Sequence, residues 1–87
     1  MKELKDYELN LKCSLEKLKQ YGFINGAGDY SVEYAEGHYI LFSSYNGSFI
    51  RLGSWCSFIG VDYENLLEEK IKVLKNARII KKRLNKN

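Results

Sequence analysis

The stretch His38-Tyr-Ile-Leu-Phe-Ser-Ser-Tyr45, Asn46-Gly47, Ser48-Phe-Ile-Arg-Leu-Gly-Ser-Trp55 decides the fold. Asn-Gly between two runs rich in aromatic and β-branched residues marks a β-hairpin. Both central residues of a type I′ turn need positive φ, which Asn and Gly reach at little cost. Upstream, Tyr30-Ser-Val-Glu-Tyr-Ala35 alternates as a strand does, and Glu36-Gly37 turns it into the hairpin. The expected sheet has three antiparallel strands, at about residues 30–35, 38–45 and 48–55.

With two-residue loops at both turns, the register can be counted out. Tyr34 then faces Tyr39, Val32 faces Leu41, Leu41 faces Leu52 and Ser43 faces Ile50. Side chains alternate at period two. One face therefore gathers Tyr30, Val32, Tyr34, Tyr39, Leu41, Tyr45, Ile50 and Leu52, the expected core. The opposite face carries Ser31, Glu33, His38, Ile40, Phe42, Phe49, Arg51 and Trp55, with Glu33 and Arg51 placed to pair across the middle strand. It is half apolar and rimmed by charge, the usual mark of a protein–protein surface; cover by a loop or a helix tail is the competing reading. Ser54–Gly60 either extends the third strand or turns back over the core.

Helices are expected on both flanks. Leu4, Tyr7, Leu11, Leu15 and Leu18 follow the spacing of one buried helical stripe, giving a helix over about residues 3–21. Gly22 stands at its C′ position, with Phe23 placed to meet Leu18 in a Schellman ending. Asn25–Asp29 reads as a connector; a phosphate-binding loop would need a strand before it and a helix after it. Asp62 is a good N-cap, Val61 and Leu66 form a hydrophobic staple, and acids precede bases along a second helix over about residues 62–84. At about 34 Å that helix would outrun a small domain. Val73, Ala77, Ile80 and Leu84 form a narrow seam along it, suited to a homodimer or to packing on the first helix. The expected fold is a small α+β domain, αβββα: a three-stranded antiparallel sheet, two helices on one face, and a long C-terminal helix.

The chain of 87 residues is 45% hydrophobic and 29% charged, an ordinary globular composition for one domain. No apolar run approaches the ~18 residues needed to span a bilayer, and the first residues lack an apolar signal region. Two cysteines without such a signal point to reduced thiols and a cytoplasmic location. Lys, Asn, Ile, Tyr and Phe are abundant and Pro is absent, the usage of AT-rich codons in a bacterium or its phages. Net charge is +3, and from Lys70 onward there are eight bases and no acid. Lys75, Lys82, Arg83 and Lys86 lie there as a phosphate-contacting footprint, or as charge that matches the helix dipole.

Catalytic chemistry is not signalled. His38 is the one histidine and has no neighbouring acid in sequence, and Cys13 and Cys56 with one His do not make a four-ligand zinc site. Walker, dinucleotide and His-Glu-x-x-His motifs are absent. The expectation is no enzyme, no cofactor and no metal.

The order helix, three strands, helix resembles that of the double-stranded-RNA-binding domain, and Gly37-His38 followed by Phe42 is similar to its loop-to-strand segment. The resemblance implies RNA binding through helices and loop. Where that family places lysines at the start of its second helix, this chain has Asp62, Glu64, Glu68 and Glu69. In size and style the chain also resembles phage-encoded inhibitors of host machinery, anti-CRISPR proteins among them. The function expected from the residues is therefore a protein-binding module contacting its partner through Ile40, Phe42, Phe49, Arg51 and Trp55, aromatic and Arg residues being those that dominate interfaces. Nucleic-acid binding by the basic C-terminal helix is the alternative.

Overall fold

The computed structural model describes residues 4–55 and 62–83. In chain order it has a 3₁₀ turn (Leu4–Asp6), β1 (Tyr7–Leu9), α1 (Leu15–Gln20), β2 (Ile24–Asn25), β3 (Asp29–Ala35), β4 (His38–Ser43), β5 (Phe49–Ser54), α2 (Tyr63–Asn76) and β6 (Ile80–Lys82). There are two antiparallel sheets, β2-β3-β4-β5 and β1-β6. Mixed α+β is right, but the three-stranded sheet with two long helices is not.

The expected first helix divides into three pieces. Tyr7 and Leu9 are both buried, at the spacing of a strand, and pair with Lys82 and Ile80. Asn10 ends the strand. Its Oδ1 accepts the Lys12 N–H and its Nδ2 donates to the Arg78 carbonyl, and such side-chain bonds compete with helix. Helix begins only at Ser14, whose Oγ accepts the Lys17 N–H. Its far end forms as the sequence indicates. Gly22 (φ 90°) donates to the Lys19 carbonyl and Phe23 to that of Leu18, the two bonds of a Schellman motif, with Leu18 and Phe23 both in the core.

Both hairpins of the meander depart from the counted register. Glu36-Gly37 does make a two-residue loop, with Ala35 opposite His38. A bulge at Tyr34 then shifts every later pair by one, so that Val32 faces Ile40 and Tyr30 faces Phe42. The Glu33 carboxylate accepts the Gly37 N–H at 2.8 Å, which ties the bulge to the turn. In the shifted register Glu33 lies opposite Tyr39, while Arg51, its expected partner, lies in the next row opposite Leu41. Asn46-Gly47 is not a type I′ turn. Of the two, only Gly47 has positive φ, and the loop is a wider one closed by the Gly47 N–H on the Ser43 carbonyl. A second bulge at Ile50 completes the slip, leaving Phe42 opposite Phe49 and Ile40 opposite Leu52.

A one-residue slip exchanges the two faces of a strand. His38, Ile40 and Phe42 therefore point inward, with Ile40 and Phe42 at 0% exposure. Tyr45, expected in the core, is exposed at the hairpin tip, and Ile50 is largely exposed as well. The core is closed by Leu67, Ile71 and Leu74 of α2, at the i, i+4, i+7 spacing of one helical stripe.

The N-cap of α2 forms as expected, Asp62 Oδ1 accepting the Asn65 N–H; Val61, its expected staple partner, lies outside the described residues. The helix ends at Asn76, well short of residue 84. Arg78 takes the left-handed conformation (φ 61°) at C′ and donates to the Lys75 carbonyl, and Ile79 donates to that of Leu74. This second Schellman motif buries Leu74 and Ile79 together and redirects Ile80 into a strand. An L-residue in this conformation costs about 1–2 kcal/mol, which glycine avoids at a smaller entropic cost. Arg78→Gly is accordingly expected to raise the unfolding free energy by about 0.5–1 kcal/mol, and Arg78→Val to lower it, in urea titrations.

Candidate functional site

The slip in register redistributes the residues singled out as a partner surface. Ile40 and Phe42 are fully buried, and Phe49 packs half-buried against the core with its ring 6.2 Å from that of Phe42. These three are structural. Arg51 and Trp55 are exposed as expected, Trp55 at 80%.

The outward-facing rows run Ile24–Ser31–Leu41–Arg51 and Glu33–Tyr39–Gly53. Trp55 continues the same face, since residues 51, 53 and 55 alternate to one side. Its indole meets the Tyr39 ring edge-on, with centroids 5.2 Å apart, and the Trp55 backbone N–H donates to the Gly37 carbonyl. Gly53 leaves the space that Leu41 occupies: a Cβ there would sit 3.2 Å from the Leu41 Cδ1. Leu41 is thus nearly buried although it points away from the core. Ile24 is 62% exposed in the same row. Tyr39, Arg51 and Trp55 gather around the nearly buried Leu41 on this face, with Glu33 beside Tyr39 and Ile24 beyond Ser31. Tyr39 and Leu41 escape sequence reading because the bulges, which carry no sequence label, decide which side they take, and Ile24 because the short β2 is not expected from the sequence.

At the end of the inner face, His38 is buried and stacks on Tyr63, with centroids 3.9 Å apart. Tyr34 stands 5.9 Å away. Burial raises the Tyr34 phenol above its ordinary range, and the neighbouring Tyr63 phenol adds to the effect. His38 Nε2 has no hydrogen-bond partner among the described residues. Cys13 is half-buried with its Sγ 3.5 Å from the Arg78 carbonyl, while Cys56 lies outside the described residues. Among the described residues no group of three or more His, Cys, Asp or Glu side chains is placed to hold a metal ion. No described helix is long and apolar enough to cross a membrane.

The expected helical seam does not exist. Val73 is half-exposed on α2, Ala77 caps the helix against the core, Ile80 is buried in β6, and Leu84 lies outside the described residues. Of the basic residues assigned to the helix, Lys75 lies in its last turn, Lys82 in β6 and Arg83 just after it, while Lys86 lies outside the described residues. Lys75 Nζ lies over the Tyr7 ring, 5.7 Å from its centroid. Lys82 stands directly across from Tyr7, and Lys81 pairs with Glu8 at 3.7 Å. The Arg83 guanidinium reaches the Lys5 carbonyl at 3.5 Å. A shallow groove of about 390 Å³ runs beside them between Tyr7 and α2, with Glu68 and Glu69 toward one end and Lys72 and Lys75 toward the other. No family model, curated protein or solved structure matches this chain.

Proposed function

We propose that the chain is a non-enzymatic protein-binding module whose contact surface is the outer face of the four-stranded sheet. The observation that carries this reading is the exposed Trp55 set edge-on against Tyr39, beside Leu41 and Arg51. Trp, Tyr and Arg are the side chains that dominate interface energetics, and here an exposed Trp stands against a Tyr with an Arg on the same face. Within this class, size and codon-biased composition favour an inhibitor of a host assembly, encoded by a phage or mobile element.

Selection from a displayed library of random peptides tests the surface. Enriched peptides are expected to lose affinity about 30-fold on Trp55→Ala, the scale of an interface hot spot. Tyr45→Ala, an exposed aromatic at the opposite end of the hairpin, is the matched control and should leave affinity within about twofold. Peptides indifferent to Trp55→Ala, or no enrichment at all, would overturn the assignment.

A further inference from the structure

The C-terminal segment carries a second surface, independent of the sheet face. Lys5, Lys75, Arg78, Lys81, Lys82 and Arg83 are all exposed and come from four places in the fold: the 3₁₀ turn, the last turn of α2, its cap, and β6 with the residue after it. Pairing of β1 with β6 brings them together, since Arg83 bonds the backbone of both Asp6 and Lys5. Along β6 the cations alternate sides. Lys82 lies on the side of Tyr7 and Lys75, whereas Lys81 and Arg83 lie on the other, about 7 Å apart as alternate strand residues are. The acids nearby are Asp6, Glu8, which is engaged by Lys81, and Glu68 and Glu69 farther along the groove that Lys75 lines. The six bases outnumber these acids, so the ridge as a whole keeps an excess of positive charge.

Arg78 adds an observation of a different kind. It occupies a left-handed C′ position where glycine would be more stable, and its side chain is exposed. An outlier in backbone conformation at an exposed basic residue points from strain toward a use for the side chain. We infer that this ridge binds the phosphodiester backbone of a nucleic acid, reading charge and not base sequence. Lys82, Arg83 and Arg78 make the principal phosphate contacts. Helix-dipole matching accounts for the charge of Lys75 and of Arg78 but not for Lys81, Lys82 and Arg83, which lie beyond the helix end.

Fluorescence anisotropy with labelled 20-nucleotide single-stranded DNA, single-stranded RNA and duplex DNA, at about 50 and 200 mM salt, tests this. Saturable binding to at least one of them is expected, weakening steeply with salt, and the three arms identify which nucleic acid supplies the backbone. Lys82→Glu with Arg83→Glu should weaken it more than about tenfold, whereas Lys17→Glu with Lys19→Glu, the same charge change on α1, should shift it less than about twofold. Arg78→Gly is the decisive variant: it should make the protein more stable and the complex weaker, with the salt slope reduced by about 1.

Absence of saturable binding at the lower salt would overturn the inference. Equal losses from the α1 pair would show net charge in place of a site. An Arg78→Gly protein that is stabilised but binds unchanged would remove Arg78 from the contact. Competition by polyglutamate as strong as by unlabelled oligonucleotide would assign the ridge to an acidic protein segment instead.

Discussion

Phe42→Ala is expected to lower the unfolding free energy by about 3–5 kcal/mol, the range for emptying a buried aromatic site. Phe42 is fully buried at the centre of the sheet's inner face. It lies opposite Tyr30 on one side and Phe49 on the other, and belongs to the cluster that includes Leu67, Ile71 and Leu74 of α2. An 87-residue domain has about 4–13 kcal/mol of stability in total, so this one change consumes a large share of it. Tyr39→Ala, one residue from the Ile40 core position on the same strand but outward-facing, should cost about 1 kcal/mol. Urea titrations of the pair measure the register directly. In the register of two-residue loops Tyr39 would be the core residue and Phe42 the surface one, and the order of the two losses would be reversed.

Gly47→Ala should cost about 2–4 kcal/mol, from two causes that can be separated. The first is backbone conformation, since φ is 79°. The second is proximity. A Cβ at this position would sit 2.6 Å from the Leu9 carbonyl oxygen, which is a backbone atom and cannot swing aside. The Leu9 N–H also donates to the Gly47 carbonyl at 2.8 Å, so that movement of β1 away from the loop breaks a bond as it relieves the clash. Gly28→Ala supplies the comparison. Its φ is 92°, yet nothing lies within 4 Å of the added carbon, so it should show the conformational cost alone, about 1 kcal/mol. Thermal melts of both variants give the difference, which reports the close approach of β1 to the hairpin.

Local punctuation was legible in the sequence. Asp62 caps α2, Gly22 and Phe23 close α1, and Glu36-Gly37 joins β3 to β4, because each of these depends on a few neighbouring residues. Three features were not. The bulge at Tyr34 rests on one carboxylate bonding one turn N–H, and alternation is equally good with or without it. β1 is three residues long inside a segment with helical spacing, and its partner lies at the other end of the sequence. The end of α2 is marked by an arginine where the usual signal is glycine, so the periodicity appeared to continue. The candidate surface shows the consequence: Arg51 and Trp55 are exposed as expected, whereas the bulges turn Ile40, Phe42 and Phe49 to the inner side of the sheet.

Pairing of β1 with β6 also sets an order in time. The strands β2 to β5 are sequence neighbours joined by short turns, and their ladders can close as soon as those residues exist. β1 is synthesised first yet finds its ladder partner last, because that partner comes from the final part of the described chain. Closing so long a loop adds little to the equilibrium cost, which grows only with the logarithm of length, but it is slow compared with the local hairpins. Until β6 arrives, β1 is held to the finished meander where Leu9 bonds Gly47 and Glu8 lies across from Ser48. The coupling is therefore one-sided: loss of β1 deprives β6 of its ladder, whereas loss of β6 leaves β1 its bond to the hairpin.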